Sequence, residues 1–240
     1  IIAKGNFQKF NNIIKQLPDL SIYKNILIET GIKMLKHVLT TILLFGFGHF
    51  SLASSTFYWT EEKFALVNSG NSDRGGQLVE ENRCSKCHNE TGISDDEDIP
   101  SIAGQRASYL YKQLDDYKSG TRENRDMKKA TRKLSEQDMA DISAWYSKNE
   151  RAPMLGGEPM LVVKVCDSCH NDEIIVEDDH IEVAPILEGQ IRNYLVEAMQ
   201  AFKQADRHND LFSRMQSVSL KLTDTEIEKL ATFYGAKDPE

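Results

Sequence analysis

The 240-residue sequence predicts an all-α fold in which one small domain is written twice. Self-similarity is the first observation: Pro100, Gly104, Gln105, Tyr109 and Leu110 recur as Pro185, Gly189, Gln190, Tyr194 and Leu195, at a constant offset of 85. Lys118 and Arg122 return at that offset as Lys203 and Arg207. Further on the offset is 88, pairing Leu134 with Leu222, Ser135 with Thr223 and Tyr146 with Tyr234, and before the prolines it is 82, set by two cysteine pairs. One three-residue insertion on each side of the shared block explains both changes. The second observation is periodicity: apolar residues in each copy recur at helical spacing. The third is the lack of any long alternating pattern of the kind strands require; the short apolar run 161–165 reads as a helix entering the second cysteine pair, with a strand as the alternative.

From the start of the chain, residues 1–33 are rich in Ile, Lys and Asn without a motif. From Met34 the sequence has a short basic stretch, an apolar run over Val38–Phe47 and small residues at Ser51–Ser54, the three parts of a secretory signal. The apolar run is too short to span a bilayer, which takes about 20 residues. Residues 34–53 are therefore expected to be a signal peptide cleaved near Ala53, and 1–33 to lie upstream of the mature protein. Residues 54–72 have no counterpart in the second copy and remain unassigned. The first domain is expected over 73–150 and the second over 151–240, joined by a linker at about 149–159, where Pro153, Gly156, Gly157 and Pro159 cluster.

Within each domain a helix follows the Gly-Gln pair; in the first copy it places Leu110, Leu114 and Tyr117 on one face and stops at Gly120. The closing helices open with Ser135-x-x-Asp138 and Thr223-x-x-Glu226, which resemble capping boxes, the first the weaker match. Met139, Ile142 and Tyr146 form a buried stripe, matched by Ile227, Leu230 and Tyr234.

All four cysteines fall in two motifs, Cys84-Ser85-Lys86-Cys87-His88 and Cys166-Asp167-Ser168-Cys169-His170. In Cys-x-x-Cys-His the two thiols add across the vinyl groups of a haem and the histidine reaches the iron. Two covalently bound haem c groups are therefore expected, each wrapped by one domain. At about 80 residues a domain's own hydrophobic core is marginal, and a haem supplies the missing apolar bulk. A zinc ribbon needs no histidine after each pair, and its knuckles sit closer than 82 residues. A thioredoxin-like site needs a βαβ pattern, and disulfides across such tiny loops would constrain little of the unfolded chain.

With His88 and His170 on one side of each iron, the opposite ligand comes from elsewhere. Of the other histidines, His37 and His49 fall in the signal, and His180 and His208 occur in the second copy alone. Methionine is the candidate. Met139 aligns with Ile227 and Met199 with Leu114, so both are assigned to the core; Met154 and Met160 lie in or beside the linker. Met127 and Met215 align with each other, each seven residues before a matched leucine, and are expected to be the axial ligands. A thioether favours Fe(II) and raises the potential relative to bis-histidine ligation.

Cys-x-x-Cys-His, Pro-x-x-x-Gly-Gln-x-x-x-Tyr-Leu, Arg, Met and a capped closing helix, each present twice over residues 73–237, resemble the di-haem cytochrome c4 group of bacterial class I c-type cytochromes. The resemblance implies two tandem class I cytochrome c domains about a pseudo-twofold axis, with their haems close together. It implies that the carbonyls of Pro100 and Pro185 receive the ring N–H of the haem histidines, and that Arg122 and Arg207 lie near the haem propionates, a solvated surface position being the alternative for each arginine. It departs from the family where Asn89 and Asn171 stand in place of the glycine that often follows the haem histidine.

The chain has a net charge of −8, and its first 53 residues are basic at +4, leaving −12 for the rest. That excludes nucleic acid and anionic membrane surfaces as partners. The acidic runs Asp95–Asp98 and Glu177–Asp179 read as solvated loops, with docking as the alternative. The expected function is a periplasmic electron carrier, not an enzyme, between a respiratory donor complex or dehydrogenase and a terminal oxidase or reductase. The alternative is the di-haem subunit of a flavocytochrome c sulfide dehydrogenase-type complex, with a flavoprotein partner. A di-haem peroxidase would need an open iron, which two matched methionines oppose.

Overall fold

The computed structural model describes residues 57–157, 160–171 and 184–236; the signal-like segment 34–53 and the acidic run at Glu177–Asp179 lie outside them. The described chain is helical, and in place of strands it has two isolated bridges, Met154 with Ala236 and Gln190 with Gly235.

In the first copy α1 (Glu61–Asn68) and α2 (Ser72–Glu81) lead to a short α3 (Ser85–His88) that carries the first motif. Helix α4 (Ala107–Ser119) ends on Gly120 at φ 87, the left-handed cap that glycine adopts without strain. Next come α5 (Arg125–Thr131) and the closing α6 (Glu136–Ser147). The core forms where α1, α2 and α4 pack on α6, burying Val79, Leu110, Tyr111, Met139, Ile142 and Tyr146. Helix α2 crosses α6 at closest approach through Gly75, where an added Cβ would stand 2.0 Å from the Asp141 carbonyl oxygen.

The second copy repeats this order with α7 (Val163–His170), α8 (Arg192–Lys203), a 3₁₀ turn (Leu211–Ser213), α9 (Arg214–Ser219) and α10 (Asp224–Tyr234). Both capping boxes are complete, Ser135 with Asp138 and Thr223 with Glu226, so the aspartate serves as well as the glutamate. Lys118 and Lys203 make the same bond, donating to the carbonyls of Leu134 and Leu222. The 3₁₀ turn is the insertion that moves the offset from 85 to 88; it holds Phe212 at φ 58 and Ser213 at φ 51.

Two features differ from the sequence reading. Residues 57–68 are part of the first copy: Phe57 is buried, and Trp59 stacks on Phe64 at 4.6 Å and meets Phe57 edge-on at 5.0 Å. The linker is anchored, since Leu155 N–H donates to Gly235 O at 2.7 Å and Gly156 N–H to Phe233 O at 3.3 Å. Pro153, Gly156 and Gly157 preclude there a helix equivalent to α2, and an extended run takes its place. The apolar run at 161–165 enters a helix at Val163, as read, but leaves Leu161 and Val165 exposed.

Candidate haem-binding cavity

Both cysteine motifs open onto one cavity of about 930 Å³, near the top of the range of roughly 300–1,000 Å³ usual for ligand sites. Cys84, Cys87, His88 and Met127 line it from the first copy, and Cys166, Cys169, His170 and Met215 from the second. The sequence-predicted residues are thus brought together, four and four, around a shared and largely apolar space. The four cysteines form no disulfide. Among the described residues, no three His, Cys, Asp or Glu side chains converge as a metal ion alone would need.

Each histidine is buried, 8 % exposed, and held by its proline: His88 Nδ1 lies 2.9 Å from Pro100 O, and His170 Nδ1 lies 2.6 Å from Pro185 O. A carbonyl can only accept, so the proton sits on Nδ1 and the lone pair on Nε2, the state a metal-bound imidazole requires. Burial also pushes the His88 pKa down, against the proline hydrogen bond, and keeps the ring neutral. Asn89 takes φ 58 with ψ 167, outside the left-handed helical well that asparagine tolerates and in a region otherwise almost confined to glycine; its amide donates to Ile93 O and Asp95 Oδ2. Asn171 is extended, so the same substitution means different things in the two copies.

The methionines stand on matched helices, Met127 on α5 and Met215 on α9. Four residues on, a hydroxyl donates back to each methionine carbonyl, from Thr131 at 2.9 Å and from Ser219 at 2.7 Å. Both hydroxyl residues are fully buried. Thr131 and Ser219 stand at the same offset of 88 as the methionines, so the sequence carries this pair too. Met199 and its counterpart Leu114, assigned to the core, both line the cavity half-buried, and Leu114 also packs against the core of the first copy.

Arg122 and Arg207 are half-buried. Each crosses to the other copy, Arg122 to Tyr194 Oη at 3.0 Å and Arg207 to Tyr109 Oη at 3.3 Å, and both donate to Gln113 Oε1. Among the described residues no carboxylate pairs directly with either guanidinium, although Asp126, Glu197, Asp206 and Asp210 also line the cavity. Burial alone would raise the Tyr194 phenol, yet the neighbouring Arg122 and Arg207 together bring it down to about 7. An apolar space with two cysteine pairs, two Nδ1-protonated histidines, two thioethers and two half-buried guanidinium groups fits a pair of dicarboxylate macrocycles.

Comparisons with known proteins agree. A family model described as cytochrome c matches residues 72–148. Cytochrome c4 of Pseudomonas aeruginosa is 29% identical over 167 residues, covering 62% of this chain and 81% of that one. Cytochrome c-554(548) of Halomonas halodenitrificans is 34% identical over 70 residues, 28% of this chain and 84% of that one. A thiosulfate dehydrogenase electron acceptor of Thiomonas intermedia is 26% identical over 172 residues, 64% and 78% of the two chains. Among solved structures, reduced recombinant cytochrome c4 from Pseudomonas stutzeri superposes with a TM-score of 0.58 at 27% identity, covering 70% of this chain and all of that one.

Proposed function

Because the chain belongs to the cytochrome c family, as an electron carrier of the di-haem c4 type with two covalently bound haem c groups, we propose that it works in the periplasm, taking electrons from a dehydrogenase and delivering them to a terminal oxidase or reductase. The observation that carries the reading is the single cavity onto which both Cys-x-x-Cys-His motifs and both matched methionines open. Cys84 and Cys87, and Cys166 and Cys169, would hold the haems through thioether bonds; His88 with Met127, and His170 with Met215, would close the axial positions.

When bound, the haem supplies a one-electron couple at its iron. The chain's own residues do the rest. The Pro100 and Pro185 carbonyls fix the imidazole rings, so coordination geometry changes little between oxidation states. Apolar walls exclude water, and His88 with Met127, and His170 with Met215, would hold each iron and leave substrate no place on it, as a relay requires. Arg122 and Arg207 offset negative charge where the two copies meet. The basic and apolar run at 34–53 supports export.

The relatives named as thiosulfate dehydrogenase electron acceptors favour a dehydrogenase as donor. The test mixes the oxidised holoprotein with a thiosulfate dehydrogenase and thiosulfate in stopped flow. Reduction that needs both enzyme and substrate supports this donor. If dithionite reduces the protein and the enzyme with thiosulfate does not, the donor is a different complex.

A further inference from the structure

The two copies grip each other beside their haem histidines. Gln105 Nε2 donates to Ile186 O at 2.9 Å, and its Oε1 accepts from Ile186 N–H at 2.9 Å. Gln190 does the same to Ser101, at 2.8 Å in both directions. Ile186 follows Pro185 and Ser101 follows Pro100, so each amide pins the loop whose carbonyl holds the other copy's histidine. This clamp is symmetric.

The next residue breaks the symmetry. Position 106 is arginine and its repeat counterpart, 85 residues on, is Ile191. The backbone is the same in both: Arg106 N–H donates to Gln105 Oε1 at 3.0 Å, and Ile191 N–H to Gln190 Oε1 at 2.8 Å. The side chains are not equivalent. The Arg106 guanidinium crosses into the second copy and donates to Cys169 O at 3.3 Å and to the carbonyls of Asn171 and Ala184. Cys169 and Asn171 flank His170, and Ala184 precedes Pro185. Isoleucine has neither the charge nor the donors. The acidic runs do not supply this difference, since Asp95–Asp98 and Glu177–Asp179 place them after both motifs.

From this asymmetry we infer that Arg106 is a positioning residue that raises the reduction potential of the second haem and leaves the first unaffected. The inference rests on the reading that both motifs carry haem. Reduction removes one positive charge at the iron, so a fixed, half-buried cation beside the site disfavours the ferric form. Its hydrogen bonds to the carbonyls flanking His170 act in the same direction and hold the loop in place. To that extent an electron shared between the two haems is biased toward the second.

The experiment is a spectroelectrochemical titration of the holoprotein and of R106Q and R106K, with haems per chain counted first and the two midpoints assigned to their sites by proton NMR. The second midpoint is expected to fall in R106Q and to fall less in R106K, which keeps the charge but loses the forked donor. The first midpoint should stay where it is, which separates tuning from a general loss of packing. Unmoved midpoints, or an equal fall at both haems, overturn the assignment of Arg106. Fewer than two haems per chain in the parent protein overturns the reading beneath it, and the haem count tells the two failures apart.

Discussion

The hydrogen bond from each buried histidine to the carbonyl of a proline 12 or 15 residues on fixes which ring nitrogen is left to bind iron. The motif residues stand out because a two-residue spacer suits thiols that add to two vinyl groups, and Met127 and Met215, which line the same cavity, because the duplication pairs them. The roles of Gln105, Gln190 and Arg106 were not legible in the sequence: a repeat shows that Gln105 and Gln190 match, but their partners lie 81 and 89 residues away across the pseudo-symmetric contact. Arg122 and Arg207 are half-buried against Tyr194 and Tyr109, contacts between the copies that the repeat alone does not reveal. The matched thioethers lead to a definite expectation. Met127→Ala should lower the midpoint of one haem and Met215→Ala that of the other, with both haems still covalently attached; redox titration with haem staining of the denatured chain checks it. Two unchanged midpoints would remove the methionines as ligands.

Helix boundaries followed from local chemistry that a sequence displays: a hydroxyl with a carboxylate three residues on at the start of α6 and α10, and a left-handed glycine at the end of α4. What escaped was packing between elements distant in sequence. Helix α1 belongs to the first copy through aromatic contacts of Phe57 and Trp59, and nothing in the repeat could signal it because the second copy has no equivalent. The crossing of α2 and α6 is similar: Gly75 reads as a helix-weakening residue until Asp141 O is found where its side chain would be. Asn71 N–H and Arg74 also bond to the Asp141 carboxylate, so this crossing is stapled at one end and close-packed at the other. Gly75→Ala should therefore destabilise the first copy by about 1–3 kcal/mol, as overpacking does, although alanine normally favours helix. Denaturant unfolding of the holoprotein measures it; a neutral or stabilising result would mean the two helices can separate without loss.

At the scale of the whole molecule, duplication supplies two sites and the contact between copies joins them. Gln105 and Gln190 tie each copy's haem loop to the other, Arg122 and Arg207 cross the same contact, and both cysteine motifs open on one cavity. Paired relay centres in one chain are a means to move electrons through the protein, and the inferred role of Arg106, where the second copy has Ile191, would make the two centres unequal. All of this depends on two haems, each closed on both faces. The visible spectrum of protein matured in a periplasm with c-type haem assembly, read together with haem content, tests that most directly. Two haems per chain, with the methionine-to-iron charge-transfer band at full intensity for both, is the result expected. One haem, or half of that band, would contradict it, leaving a site open or differently ligated and pointing to catalysis at that iron.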